Sequence, residues 1–152
     1  MHVVLVEPEI PPNTGNISRT CAVTGTVLHL VEPLGFSLSE RHLKRAGLDY
    51  WKHLQLVLHP GLEEFLAQAA GKRLWLLTTK GTRFYTEVSY GPDDYLLFGK
   101  ETAGLPDWLL ARYQECCLRI PMGPRIRSLN LSNAVAIVLY EALRQQGFPG
   151  LV

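Results

Sequence analysis

Short apolar runs alternate with helix-forming segments along the chain, and this alternation limits the possible folds more than any other feature. The predicted strands are Val3–Val6, Val27–Val31, Leu54–Leu58, Leu74–Thr79, Tyr95–Phe98 and Cys117–Ile120. The predicted helices are Asn16–Thr24, Ser39–Ala46, Gly61–Ala70, Pro106–Tyr113 and Leu131–Gln146. Strands that alternate with helices in this way form a mostly parallel sheet with helices on both faces. We therefore expect an α/β fold.

The length and composition indicate one compact domain over residues 1–152. A hydrophobic content of 47% excludes a disordered chain, and a net charge of +1 excludes a generally polybasic nucleic-acid binder but not a local basic patch. The apolar start ends at Glu7–Pro8, which is too short for a signal peptide, and no apolar run is long enough to span a membrane. The three cysteines include an adjacent pair and form no disulfide framework. We expect a cytoplasmic protein.

A ligand site in such a sheet lies beyond the carboxyl ends of the strands. The loops that follow those ends are rich in Gly, Pro, Asn, Ser and Thr. They are Glu7–Asn16, Thr78–Gly81, Gly99–Pro106 and Pro121–Asn130. We expect any site to be built from these loops.

Several familiar sites are excluded by the sequence. It contains neither GxGxxG nor GxSxG, and Gly99 and Gly104 have phosphate-loop spacing but are followed by Leu105–Pro106 instead of Lys and Ser or Thr. The five histidines have no metal-ligand spacing, so we expect ordinary surface or half-buried histidines and no metal site.

The first polar loop, Pro11–Arg19, leads into the first helix. Its two prolines are expected to stiffen the exit from the strand, Gly15 to permit a tight turn and Asn16 to cap the helix. Arg19 lies one turn further on. It either binds a phosphate or a sugar hydroxyl, or it is a solvated helix residue.

The second polar loop, Phe98–Pro106, contains two glycines that permit a ligand to approach the backbone closely. Glu101 within it either pairs with a buried cation or accepts hydrogen bonds from backbone N–H groups. A plain turn between strand and helix is the alternative for this loop.

The third polar loop runs from Ile120 to Asn133 and carries more polar side chains than a helix cap requires. Asn130 or Ser132 alone would cap the helix that follows, and the free N–H groups at its start suit an anion or a carboxylate.

The last helix is apolar through Ala134–Tyr140, whereas a surface helix covered on one side would show a polar stripe. Either a second copy of the chain covers it, or it is a central helix buried within the monomer. Tyr140 either supports that interface or the site, or only packs.

Three segments, Pro12–Arg19, Phe98–Pro106 and Ile120–Met122 with Arg127–Ala134, resemble in order and spacing the three motifs of the SPOUT methyltransferases. Glu7–Pro12 and Arg45–Tyr50 are similar to the small YibK/TrmL branch, the tRNA wobble-position 2′-O-methyltransferases. The resemblance covers essentially the whole chain. It implies a C-terminal trefoil knot, an obligate homodimer and S-adenosyl-L-methionine as cofactor.

The resemblance also implies roles for particular residues. The implied cofactor-binding residues are Leu77, Thr78, Gly99, Gly104, Ile120, Met122, Ser128 and Leu129. The implied catalytic residue is Arg19, which reaches across the dimer interface to the ribose. The candidate substrate-binding residues are Asn16, Glu101 and Asn130, together with the two cations Arg125 and Arg127.

We expect no added RNA-binding domain and therefore expect the surface of the dimer to hold the tRNA anticodon loop. The candidate cations are Arg41, Lys44, Arg45, Lys80, Arg83, Arg125 and Arg127. The segment 123–126 is more basic and more apolar than the family pattern, which commonly has an acidic or small polar residue there. Alternative functions are methylation of another tRNA position or of ribosomal RNA, and a non-catalytic dimeric RNA-binding module.

Overall fold

The computed structural model describes residues 1–38 and 50–152. Its strands are β1 (His2–Val6), β2 (Val27–Val31), β3 (Leu56–His59), β4 (Leu74–Leu77), β5 (Arg83–Phe84), β6 (Tyr95–Phe98) and β7 (Cys117–Arg119). Its α-helices are α1 (Pro11–Thr24), α2 (Leu62–Gln68), α3 (Asp107–Arg112) and α4 (Leu131–Gln145). Short 3-10 helices cover Trp51–His53 and Gln114–Cys116.

The strands form one seven-stranded sheet in the order β3-β2-β1-β6-β4-β7-β5. Every neighbouring pair of strands runs parallel. The carboxyl ends of the strands therefore meet at one edge of the sheet, where the four polar loops begin.

Helices cover both faces of the sheet, because alternate side chains of each strand point to opposite sides. On β1, Val3 and Leu5 belong to a core shared with α1 and α4, whereas Val4 and Val6 belong to a core shared with α2 and α3. The prediction of a mostly parallel sheet with helices on both faces is confirmed.

The predicted start of the first helix is wrong, since α1 begins at Pro11 rather than at Asn16. The two prolines occupy its first turn, where a missing N–H removes no hydrogen bond and the fixed φ already suits a helix. Ile10 is the N-cap residue, so Asn16 caps nothing, and Gly15 lies inside the helix instead of forming a tight turn.

Other boundaries shift by a few residues. Strand β3 begins at Leu56 instead of Leu54 and follows a 3-10 helix. Pro106 is the N-cap of α3 instead of lying in its first turn. Strand β5 was not predicted, because two residues are too few to show a pattern. The predicted helix Ser39–Ala46 lies outside the described residues. In the described ranges no helix has both the length and the apolar character that crossing a membrane requires.

The largest departure from the sequence analysis is a chain of three histidines across β1, β2 and β3. His2 Nδ1 lies 2.9 Å from His29 Nε2, and His29 Nδ1 lies 2.9 Å from His59 Nε2. His29 and His59 are 6% and 1% exposed, so they are core residues rather than surface or half-buried ones. Burial first, and then the charges of His2 and His59, lower the pKa of His29 from 6.5 to about 4.

This chain of histidines makes the protein sensitive to mild acid. An unfolded histidine takes up a proton near pH 6.5, whereas folded His29 does so only near pH 4, so its neutral form stabilises the fold fully above pH 6.5. As the pH falls from 6.5 to 4, we expect the free energy of unfolding to drop by roughly 3 kcal/mol from this residue. Urea unfolding across that range will measure the drop. His29→Phe should flatten the profile, and exposed His53→Gln should leave it unchanged; equal slopes for both variants would contradict the prediction.

Candidate functional site

A pocket of about 540 Å³ lies at the carboxyl ends of β4, β6 and β7, beside the start of α4. Residues from all four predicted loops line it. Every residue singled out for the cofactor lies on its wall: Leu77, Thr78, Gly99, Gly104, Ile120, Met122, Ser128 and Leu129. Glu101, Arg127 and Asn130 line it as well. The wall combines glycines and apolar side chains with polar and charged ones, which suits a ligand that has both apolar and hydrogen-bonding parts.

The loop after β6 closes tightly on itself and forms one side of the pocket. The N–H of Gly104 donates to the carbonyl of Lys100 at 2.8 Å, and Gly104 has a φ of 70°, which favours glycine. A Cβ built on Gly99 would lie 2.0 Å from the carbonyl carbon of Gly104 and 2.1 Å from Leu105 N. The glycines were predicted to permit a ligand to approach the backbone closely. At Gly99 it is the backbone of the same loop that approaches closely.

The carboxylate of Glu101 holds the loop after β1 against this second loop. It accepts hydrogen bonds from the backbone N–H of Glu9 at 2.8 Å and of Ile10 at 3.0 Å, and from Asn13 Nδ2 at 3.2 Å. Glu101 was expected either to pair with a buried cation or to accept hydrogen bonds from backbone N–H groups. The structure shows the second of these. Partial burial raises the pKa of Glu101, but these hydrogen bonds together outweigh it and hold the pKa below its usual value.

Asn13 extends the same network to the third loop. Its Oδ1 accepts from Asn130 Nδ2 at 2.9 Å, while Asn130 Oδ1 accepts from the backbone N–H of Ser132 and Asn133 and so caps α4. Asn13 is only 6% exposed. Asn13 was not predicted as a site residue, although its position directly after a Pro-Pro pair was a usable signal. All three motif loops thus meet through amide and carboxylate side chains.

Two further contacts join the first and second loops. Lys100 Nζ lies 2.9 Å from Glu7 Oε2, and Glu7 has a φ of 52°, a conformation that residues other than glycine seldom adopt. Hydrogen bonding to Glu7 raises the pKa of Lys100. The carboxylate of Glu9 accepts from the backbone and the hydroxyl of Thr102. These contacts hold Glu7 in its unusual backbone conformation beside the pocket.

Three residues predicted for the site do not line the pocket: Arg19, Asn16 and Arg125. All three are exposed, and Arg19 and Asn16 lie on α1. The guanidinium of Arg19 lies over the ring of Tyr50, 5.0 Å from its centroid, and the Tyr50 hydroxyl donates to the carbonyl of Gly15 at 3.1 Å. Within one copy of the chain, Arg19 is thus an ordered surface residue on the helix that leaves the pocket.

No group of three metal-ligating side chains occurs within residues 1–38 and 50–152. Arg41, Lys44 and Arg45 lie outside the described residues, whereas Lys80 lines the pocket. Lys80 Nζ forms an exposed ion pair with Asp107 at 2.6 Å.

Residues 1–140 match the model of the SpoU rRNA Methylase family. The chain belongs to this family. Among curated relatives of this SpoU-family protein, the tRNA (cytidine(34)-2′-O)-methyltransferase of Saccharophagus degradans is 56% identical over 98% of this chain and 97% of its own length. The Escherichia coli (strain K12) protein of the same name is 53% identical over 100% of this chain and 98% of its own.

Solved structures agree with these sequence matches. A structure described as giving insights into the 2-OH methylation of C/U34 on tRNA has a TM-score of 0.90 and 48% identity, covering 96% of this chain and 95% of its own. An AdoMet-bound rRNA methyltransferase from Sinorhizobium meliloti has a TM-score of 0.82 and 31% identity, covering 94% of this chain and 55% of its own. The SpoU-family protein therefore has the architecture of these methyltransferases.

The close contact of Gly99 with the backbone of Gly104 and Leu105 can be tested by substitution. Gly99→Ala places a methyl group about 2 Å from two backbone atoms that cannot move independently. We expect it to lower the free energy of unfolding by about 3 kcal/mol or more, measured by urea denaturation. Gly123→Ala is the matched control, because its added Cβ meets nothing within 4 Å and its φ is not positive. Equal stability of the two variants would show that the loop is not tightly closed.

Proposed function

We propose that this protein is an S-adenosyl-L-methionine-dependent methyltransferase that methylates the ribose 2′-hydroxyl of the wobble nucleotide, cytidine or modified uridine, in tRNA. The observation that carries the proposal is the pocket, whose wall unites the three motif loops in a chain of the SpoU rRNA Methylase family. The names of the relatives and of the structural neighbour support this reaction and this position.

The pocket fits the proposed cofactor in size and in chemistry. Its volume lies within the range of ordinary cofactor sites. Leu77, Gly99 and Ile120 would offer backbone groups to an adenine edge, while the hydroxyls of Thr78 and Ser128 are available to a ribose or a carboxylate. Gly104, Met122 and Leu129 would complete the wall. When bound, the cofactor supplies a methyl group that is already activated by its positively charged sulfur.

The protein's own task is then positioning, because the methyl group needs no further activation. The Glu101 network sets the spacing of the three loops and hence of the reacting groups. Glu101 and Asn130 therefore act by holding the site that receives the ribose, and Asn16 and Arg127 remain candidates for contact with the RNA. A guanidinium stays protonated, so Arg19 would orient the ribose and offset negative charge on its oxygen rather than remove the proton.

Arg19 does not line the pocket of its own chain, so we assign its role at the ribose to the pocket of a second copy. On α4, Val135, Val138 and Leu139 are fully buried, yet Ile137 is 37% and Tyr140 is 41% exposed. The alternative of a helix wholly buried within the monomer is therefore wrong. We infer a homodimer in which α4 is covered by its partner and the partner's Arg19 faces the pocket; Tyr140 would then belong to the interface.

The tRNA anticodon loop is the proposed partner, bound by the surface of the dimer. Arg125 and Arg127 lie in the exposed loop before α4, Lys80 lines the pocket, and Arg83 is exposed on β5. The remaining expectations, one domain over residues 1–152, a C-terminal trefoil knot and a cytoplasmic location, are parts of this proposal. Ribosomal RNA is the second candidate substrate, which the family description and the Sinorhizobium meliloti neighbour support.

The first test is methyl transfer itself. We expect labelled S-adenosyl-L-methionine and undermodified tRNA to give labelled 2′-O-methylcytidine or 2′-O-methyluridine at position 34, identified by mass spectrometry of nucleosides and mapped oligonucleotides. Label in ribosomal RNA instead would move the proposal to the second candidate. Cofactor binding without transfer to either RNA would favour the non-catalytic module.

Arg19→Ala tests the catalytic assignment within the same assay. We expect kcat to fall at least about 100-fold, since one charged contact to the developing oxyanion is lost, while calorimetry shows unchanged cofactor affinity. Arg112→Ala, a change of an exposed arginine on α3, is the matched control and should retain the wild-type rate. Near-normal transfer by Arg19→Ala would overturn its assignment.

The dimer has its own test by light scattering. At micromolar concentration we expect a particle of twice the chain's 17.1 kDa. Ile137→Asp places a charge on the uncovered face of α4 and should yield a monomer that transfers no methyl group. Leu58→Asp alters another exposed apolar residue, 50% exposed on the edge strand β3, and should stay dimeric. A monomeric wild-type protein would refute the inferred dimer.

A further inference from the structure

Beside the pocket, on the edge strand β5, an exposed aromatic ring is paired with a cation. Phe84 is 40% exposed, and the guanidinium of Arg119 on β7 lies over its ring, 5.8 Å from the centroid. The two residues are direct partners in the β5–β7 register. What distinguishes Phe84 from the exposed rings of Tyr140 and Phe148 is this combination of an exposed aromatic ring with a cation beside it.

The surroundings hold Phe84 in this exposed position. Its backbone N–H donates to the carboxylate of Glu87, and the N–H of Glu87 donates to the carbonyl of Phe84 at 3.0 Å. The N–H of Tyr85 donates to the carbonyl of Arg119 at 2.9 Å. The ring is thus presented by a turn that is closed on both sides rather than by a loose loop.

The guanidinium of Arg119 is poorly satisfied by the protein. Its Nε is buried without a hydrogen-bond partner, and in the described part of the chain no carboxylate oxygen lies within ion-pair distance of it. By contrast, Arg73 and Arg144 are paired with Asp94 and Glu141. The buried Nε is out of reach of a ligand, but because no carboxylate of the described residues pairs with the guanidinium, its positive charge stays available to attract a phosphate.

Two backbone segments connect this pair with the pocket. Arg119 precedes Ile120, which lines the pocket, and Lys80 on the wall is followed by Gly81, where a Cβ would lie 2.8 Å from the carbonyl carbon of Leu118. An exposed ring with a neighbouring cation is the element with which proteins hold unpaired nucleotides, by stacking on the base and contacting its phosphate.

We propose that Phe84 and Arg119 form a binding site for one single-stranded nucleotide of the RNA substrate, flanking the nucleotide that enters the pocket. Phe84 stacks on its base, and Arg119 contacts its phosphate. This inference rests on the proposed function and names residues that would decide how firmly the anticodon loop is held. Since stacking on a ring reads no base edge, the site favours an unpaired nucleotide over a particular base.

The test compares Phe84→Ala with Phe148→Ala, which removes another ring that is 40% exposed. For Phe84→Ala we expect the Kd for tRNA and the KM for tRNA to rise about ten-fold, with kcat and cofactor affinity unchanged. Phe148→Ala should match the wild type, and Phe84→Tyr should restore tight binding because it keeps the ring. An unchanged Kd for Phe84→Ala would overturn the proposal.

Salt dependence separates the two roles. We expect Arg119→Gln to reduce the slope of log Kd against log salt by about one, whereas Phe84→Ala leaves the slope unchanged. A thermal melt confirms that each variant is folded. Direct binding also separates this inference from the proposed function: a wild type that binds tRNA without methylating it refutes only the function, and one that binds no tRNA refutes both.

Discussion

The site depends on one carboxylate. Glu101 accepts two backbone N–H groups of the loop after β1 and the amide of Asn13, and Asn13 in turn bonds to the residue that caps α4. The loop after β1 is joined in this way to two loops that lie 92 and 117 residues further along the chain. Removal of the carboxylate would leave partly buried N–H groups without acceptors. The arrangement of the loops that line the pocket therefore depends on this hydrogen-bond network.

The parallel sheet makes such a network possible. All strand ends that lead into the motif loops lie at one edge, so short loops with polar side chains meet without long connections. The close crossing at Gly99 then leaves no room for a side chain and shapes the wall from backbone. A tightly closed loop at the pocket wall suits a reaction in which positioning is the protein's main contribution. Arg19 lies outside the pocket of its own chain, so the proposed chemistry requires two copies.

Sequence reasoning succeeded where one local pattern decides the outcome. Apolar runs identified six of the strands, the polar loops located the pocket, and the family resemblance named the cofactor-binding residues that line it. Burial and strand pairing could not be predicted where they depend on contacts between residues distant in sequence. His29 and His59 are core residues only because β2 and β3 are neighbours, and two-residue β5 exists only because β7 pairs with it. The start of α1 at Pro11 was a local error, since proline suits a first helical turn as well as a strand exit.

The sequence by itself determined the α/β class, the loops that carry the chemistry and the family resemblance, because each depends on residues close together in the chain. Only the tertiary structure decided how those residues are used. It assigned the Glu101 carboxylate to backbone N–H groups, brought Asn13 to Asn130, and left Arg19 and the outer side of α4 at the surface. The physical reason is that hydrogen-bond partners and burial arise from segments distant in sequence, whose relative positions are set by packing on a common sheet.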